Sequence, residues 1–221
     1  KLAEAIKLHN ETRRLQQEIY EMQKGEEVYL TGLELLMVML AGVSLPRPEY
    51  NKMMKDLIAA LKANGPRIKP KVRLLYTGGH ADNPEFFELL QQNDAHVVSD
   101  NTGFGTRAAD VLICEDGDPL EAIINYYFEE KPAATRQMGT QVERMERLLD
   151  LVKQYKADGV VASRLYMCDL WAFEHFLMRK RLHENNVPFL ELEVDYTPEG
   201  QGQIKTRVQA FVESLADRQT A

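Results

Sequence analysis

Val72-Arg73-Leu74-Leu75-Tyr76-Thr77-Gly78 decides the architecture. It is a short apolar run closed by a glycine, and it follows a firm stop at Gly65-Pro66. Such a run predicts a strand buried on both faces, as in a parallel sheet covered by helices. Working outward, strands and helices alternate. A helix over 84–92 has Pro84 at its first position, with Asp82 or Asn83 near its cap. HVVSD (96–100) reads as the next strand. DVLIC (110–114) reads either as a short strand or as the wall of a loop. Asp118-Pro119 opens a helix to about 129, and a longer one covers about 139–154. ADGVVAS (157–163), a helix over 169–185, VPFLELEVD (187–195) and a helix over 203–216 complete the series.

Before the stop, the pattern is helical. Leu8, Thr12, Leu15, Ile19 and Met22 recur at spacings of three and four over residues 1–23. Thr31 and Glu34 form a capping-box pattern ahead of a helix over about 31–41, and a third helix covers about 48–63. The chain therefore divides near residue 66 into a helical part, 1–66, and an α/β part, 67–221. The expected fold is a three-layer, Rossmann-like α/β domain with a mainly parallel sheet, preceded by a helical segment.

With 34 acidic and 27 basic residues in 221, the net charge is −7. That balance argues against non-specific binding to nucleic acid or to an anionic membrane. The longest apolar stretch, Leu33–Val43, contains Glu34 and is far too short to span a bilayer. A cytoplasmic protein is expected. Two cysteines, Cys114 and Cys168, make no disulfide framework and cannot by themselves hold a closed metal or cluster site. The first residue is Lys, not Met, so a piece of a longer chain is also an expected reading.

Candidate sites follow the strand ends, where open parallel sheets meet their ligands. Gly78 and Gly79 permit a tight turn and close backbone approach, although a plain βα turn needs them too. Nearby His80 and Asp82 can act as a base and its partner. In DNTGFGTR (100–107), Arg107 can pair with Asp100 or hold a phosphate. The loop has a G-x-G pair but lacks the third glycine of a dinucleotide fingerprint, so it also reads as structural. Cys168 follows a strand and precedes a helix, where the positive helix end favours a thiolate. The plain alternative is a small buried hydrophobe. Burial is the expectation for Cys114. His175, two turns beyond Cys168, can share its helix face, but two ligands are too few for zinc. Glu191 and Glu193 share one strand face, Asp195 ends the strand, and Arg207 can reach back to any of the three.

The pieces ADGVVASRLYMCDLWAFE, NNVPFLELEVDY and GQIKTRVQAFVE resemble the benzoyl-CoA reductase and 2-hydroxyacyl-CoA dehydratase subunit family. Earlier pieces agree in order: LAEAIKLHNETRRLQQEIYEM, RLLYTGGHADNPEFFELLQQNDAHVVSDNTGFGTR and DGDPLEAIINYYFEEKP. The similarity covers essentially this whole chain but only the C-terminal half of a typical subunit. The resemblance implies that 1–66 packs on or links to another lobe and that 67–221 is the C-terminal lobe. It implies a [4Fe-4S] cluster shared with cysteines outside this segment, with Cys168 as the one ligand that these residues contribute. It also implies a homologous sister subunit, an ATP-dependent iron–sulfur activator protein and an acyl-CoA or aryl-CoA substrate. The reaction would be radical reduction of benzoyl-CoA or a related aryl-CoA, or dehydration of a 2-hydroxyacyl-CoA. Gly103 stands where many relatives carry a cysteine, a departure that leaves Cys168 untouched. Two other readings stay open: a cluster-free structural or interaction module, and a small-molecule-binding α/β domain.

Overall fold

The structure, a computed structural model, describes residues 1–79, 83–195 and 201–220. Four strands, β1 (Val72–Gly78), β2 (Ala95–Asn101), β3 (Gly159–Leu165) and β4 (Phe189–Val194), form one sheet in the order β2-β1-β3-β4, and every neighbouring pair is parallel. All seven residues of β1 are buried, as the opening run requires of a central strand. DVLIC is the wall of a loop, not a strand. The main chain of Ile113 has its hydrogen bonds made by a side chain: Asn10 Nδ2 donates to Ile113 O at 2.7 Å, and Ile113 N donates to Asn10 Oδ1 at 3.0 Å. One carboxamide thus does for this segment what a neighbouring strand would do.

Three helices precede the sheet: α1 (Leu2–Glu21), α2 (Gly32–Ser44) and α3 (Arg47–Asn64). The capping box that starts α2 is complete. Glu34 N donates to Thr31 Oγ1 at 3.2 Å and Thr31 N donates to Glu34 Oε2 at 2.8 Å. After β1 comes α4 (Pro84–Gln91), capped by Asn83, and after β2 comes α5 (Thr106–Ala109). α5 lies where sequence indicated only a loop. It forms because Asp100 anchors the turn: Thr106 Oγ1 donates to Asp100 O at 2.6 Å, and Thr106 N points at Asp100 Oδ1. A Cβ on Gly105 would fall 1.9 Å from that carboxylate, so the loop closes only with glycine there. The expected helix to about residue 129 is α6 (Pro119–Asn125) followed by a π-helical turn, Tyr126–Glu130. Then come α7 (Gln141–Gln154), α8 (Asp169–Glu184) and α9 (Gln201–Thr220).

Alternation along each strand sends side chains to two apolar layers. Leu75, Val98, Val160 and Ala162 face one layer, built by Ile19, Tyr50 and Met54 of α1 and α3 with Leu148 and Met178 of α7 and α8. Leu74, Val97, Val161 and Leu192 face the other, built by Leu36, Phe87, Val208 and Val212. The three-layer α/β arrangement is therefore present. The first layer is continuous across residue 66.

Candidate functional site

The carboxyl ends of β1, β2 and β3 bring the sequence-derived candidates to one edge of the sheet. At the end of β1, Gly78 has φ +143°, and a Cβ there would lie 2.2 Å from Ser163 O of β3. Gly79 N donates to Ser163 O at 3.1 Å, and a Cβ on Gly79 would lie 2.6 Å from Trp171 Nε1. Close approach is thus required at both glycines, and its partners are β3 and the α8 indole. Tyr76 hydroxyl and Ser163 Oγ share a short hydrogen bond just below. His80 and Asp82 lie outside the described residues.

Cys168 is the N-cap residue of α8. Met167, at φ +62°, turns the chain sharply before it, and Cys168 N donates to Leu165 O at 3.1 Å. The thiol makes no capping hydrogen bond and is half-buried, not sealed in the core. Exposed apolar side chains precede it and recur along α8, with the exposed Asp169 directly after it: Tyr166 and Met167 are 63% and 77% exposed, and Phe173 and Phe176 of α8 are 75% and 63%. Singly exposed apolar residues are ordinary, whereas several on one corner and helix mark contact surface.

His175 does not join Cys168. It is fully buried, with its ring against Trp171 (centroids 5.9 Å apart) and Phe189 (6.2 Å). Glu191 Oε1 lies 3.4 Å from Nδ1 without hydrogen-bond alignment, and neither ring nitrogen has a hydrogen-bond partner. Burial, opposed by Glu191, pushes its pKa down, so the ring is a neutral core histidine. Glu191 instead pairs with Arg179 and lies 3.6 Å from Arg164, which also pairs with Glu193. Arg207 does reach back, donating to the main-chain oxygen of Glu191 at 2.7 Å. Cys114, for which burial was expected, is exposed. Asn10 clamps Ile113 inward, and the chain turns outward immediately after it, placing the Cys114 thiol 3.5 Å from Asp116 O.

Near the end of β2, Asp100 is occupied by partners other than Arg107. It accepts from Tyr20 hydroxyl in a short bond, from Thr102 N at 2.8 Å and from Thr102 Oγ1 at 2.7 Å. Burial beside that carboxylate holds the Tyr20 phenol well above its usual range. Arg107 has no ion pair or hydrogen bond among the described residues, and its Nε is buried without a partner. Sequence reasoning missed its neighbours. Arg144 meets Glu174 through two bonds, Nε–Oε1 at 2.7 Å and Nη2–Oε2 at 2.8 Å, and Arg147 pairs with Asp110. The only sequence signal for the first pair is two charges at core-facing positions of α7 and α8.

Among the described residues, no group of three or more His, Cys, Asp or Glu side chains can hold a metal ion. The described residues do not by themselves fit an iron–sulfur cluster. Cys168 offers one thiolate, where such a cluster takes several.

The α/β fold thus carries a half-exposed thiol at the end of a sheet strand, with exposed apolar side chains beside it. Comparison with known proteins gives its class. The family model described as 2-hydroxyglutaryl-CoA dehydratase, D-component, matches residues 1–215, and the chain belongs to that family. YjiM of Escherichia coli, provisionally named as a dehydratase subunit, is 27% identical over 97% of this chain and 57% of its own length. The (R)-phenyllactyl-CoA dehydratase beta subunit of Clostridium sporogenes is 23% identical over 97% of the chain and 57% of its own length. A benzoyl-CoA reductase subunit of Thauera aromatica is 23% identical, with 97% and 56% covered. The chain thus spans little more than half the length of these relatives. No helix among the described residues is long and apolar enough to cross a membrane.

Proposed function

We propose that this chain is one lobe of a subunit of an enzyme acting on CoA thioesters, and that by itself it is a cluster-free binding and interaction module. Family membership and the partial coverage of the relatives support the first half. The second is supported by the described residues' lack of a metal-holding group, together with exposed apolar side chains just before the thiol and along α8. In this reading Gly78, Gly79 and Arg107 mark the sheet edge that meets a small molecule. The partners are a sister subunit, as the names of the relatives suggest, and an ATP-dependent iron–sulfur activator. The acyl-CoA or aryl-CoA substrate binds only in the assembled enzyme, which works in the cytoplasm. Residues 1–66 are the helical lead-in and 67–221 the α/β lobe.

A second reading is favoured by the half-exposed position of Cys168. There Cys168 supplies one thiolate to a [4Fe-4S] cluster shared with cysteines of another lobe; thiolates suit that metal, and a cluster at low potential supplies single electrons. In that reading Cys168 would hold the cluster from this chain, and the neighbouring Tyr166 and Met167 would help to shield it from water. The experiment is anaerobic purification of the chain and of a longer parent protein, with iron and sulfide assays and an electron paramagnetic resonance spectrum. Iron in the parent that is lost in Cys168→Ser supports the shared cluster. Iron retained after that change removes Cys168 from the ligand set and leaves the cluster-free module.

A further inference from the structure

α6 and the π-helical turn that continues it are apolar on two sides. The inner side is filled: Ala122 and Tyr126 are buried against Ile6 of α1 and against Ile113. The outer side is bare. Leu120 is 59% exposed, Ile124 48%, Tyr127 52% and Phe128 78%. Leu120, Ile124 and Phe128 recur every four residues, which makes a row about 12 Å long on one side of the helix. A helix that is apolar all round is one that is covered all round, and an exposed apolar row of this kind marks a contact surface. The Tyr127 ring beside the row is already fixed, edge to face with Tyr126 at 5.0 Å and under Lys131, 5.0 Å from its centroid. An aromatic anchor held in this way loses little freedom when a partner arrives.

The same stretch is strongly acidic. Between Arg107 and Lys131 the sequence holds seven acids and no Lys or Arg. Asp110 pairs with Arg147 and Glu115 with Arg14, whereas Asp116, Asp118, Glu121, Glu129 and Glu130 have no ion-pair partner among the described residues. At its far end the apolar row meets a cavity of about 540 Å³ between α1 and α7, which Phe128 lines together with Glu129, Glu130, Glu143 and Asp150. Glu143 and Asp150 are likewise without an ion pair among the described residues. Three of the cations lining the cavity are spent, Lys24 on Glu21, Arg144 on Glu174 and Arg147 on Asp110. The remaining one, Lys131, lies on Tyr127. Carboxylates gathered on one wall repel one another and draw in a cationic partner.

We propose that the outer side of α6 and its π-helical turn is a docking surface for an amphipathic helix of another polypeptide with a basic polar side. Its apolar residues lie on Leu120, Ile124 and Phe128, and its Lys or Arg side chains enter the acidic cavity. Charge selects this occupant. A second copy of the chain, meeting the surface about a two-fold axis, would set acids against acids. An anionic lipid surface is repelled by the same acids. Anchors one turn apart suit a helix, whose own apolar residues recur at that spacing. Long basic side chains can lay their stems on Phe128 while their charged ends reach the carboxylates behind it. The proposal goes beyond the reading of the chain as a lobe for CoA thioesters and uses neither Arg107 nor Cys168.

The test is fluorescence anisotropy of a labelled peptide of Leu and Lys, about 18 residues long with Leu at helical spacing, titrated with the purified chain at about 0.15 M salt. Saturable binding is expected, weakened roughly tenfold or more by Ile124→Ser, by Phe128→Ser and by the double change Glu129→Gln/Glu130→Gln. All four positions are exposed, so these variants keep the fold, which circular dichroism checks. Met53→Ser, which removes an exposed apolar side chain of α3, is expected to leave binding unchanged. A shuffled peptide of the same composition and a peptide with Glu for every Lys should each bind at least about tenfold more weakly. No saturable binding, either control peptide binding as tightly as the first, or equal loss in Met53→Ser overturns the proposal. Sedimentation that finds wild-type dimers and monomeric Phe128→Ser overturns it in favour of a second copy. Iron content enters none of these measurements, so failure here is separable from failure of the shared cluster.

Discussion

Replacing Glu174 by Leu should be among the most damaging single changes in the α/β part. The Glu174 side chain is 4% exposed and that of Arg144 9%, and two bonds of 2.7 and 2.8 Å join them. Removing one partner of a buried pair leaves an uncompensated charge, at a typical cost of about 3–5 kcal/mol. Arg144 keeps three further acceptors through Nη1, namely Thr140 Oγ1 at 2.6 Å, Gln137 O at 3.1 Å and Ala134 O at 3.4 Å. The lower end, about 3 kcal/mol, is therefore expected. For a domain of this size that is a fall in Tm of about 6–12 °C. The double variant Arg144→Met/Glu174→Leu removes both charges and fills the space with apolar atoms. It should be more stable than Glu174→Leu alone, with a coupling of about 2 kcal/mol or more. Urea unfolding followed by circular dichroism and by fluorescence of Trp171, one turn before Glu174, measures the wild type, both single variants and the double variant. A Glu174→Leu protein within 1 kcal/mol of wild type, or a double variant as unstable as the two single effects added, would refute the reasoning.

Other expectations are simpler. Because His175 is held neutral, its folded pKa lies below the ordinary 6.5. The unfolded chain then takes up the proton first, so this contribution is complete above about pH 6.5 and is lost as pH falls toward the folded value. His175→Leu should flatten that part of the stability profile; an unchanged slope between pH 5 and 7 would show the ring titrates as in water. His9 and His96, also lowered by burial, should keep the remainder. Gly78→Ala, at φ +143° and against Ser163 O, should cost at least about 2 kcal/mol, checked by thermal melting. Thr31→Ala breaks the capping box and should cost about 1 kcal/mol, with a denaturation midpoint equal to wild type as the contrary result.

Local signals carried most of the architecture. The largely apolar β1 run, Pro84 and Asp118-Pro119 at helix starts, and the Thr31–Glu34 box each act over a few residues, and each is found where its spacing puts it. Failures came where a distant side chain replaced a local rule. Asn10 satisfies Ile113 from 103 residues away, so DVLIC needs no strand partner and Cys114 is turned out to solvent. Asp100 is taken by Tyr20, 80 residues distant, which is why its neighbour Arg107 stays unpaired. His175 sits at a spacing that puts it on a shared face with Cys168, yet the ring is drawn into the core between Trp171 and Phe189.

The apolar layer that runs unbroken past residue 66 makes the first three helices a wall of the sheet, not a tether to it. Severing the backbone at Gly65-Pro66 and discarding the earlier fragment would strip Leu75, Val98, Val160 and Ala162 of part of their cover and take away the phenol that steadies Asp100. Shortened versions beginning near Lys71 should therefore aggregate, whereas the two fragments expressed together should reassemble.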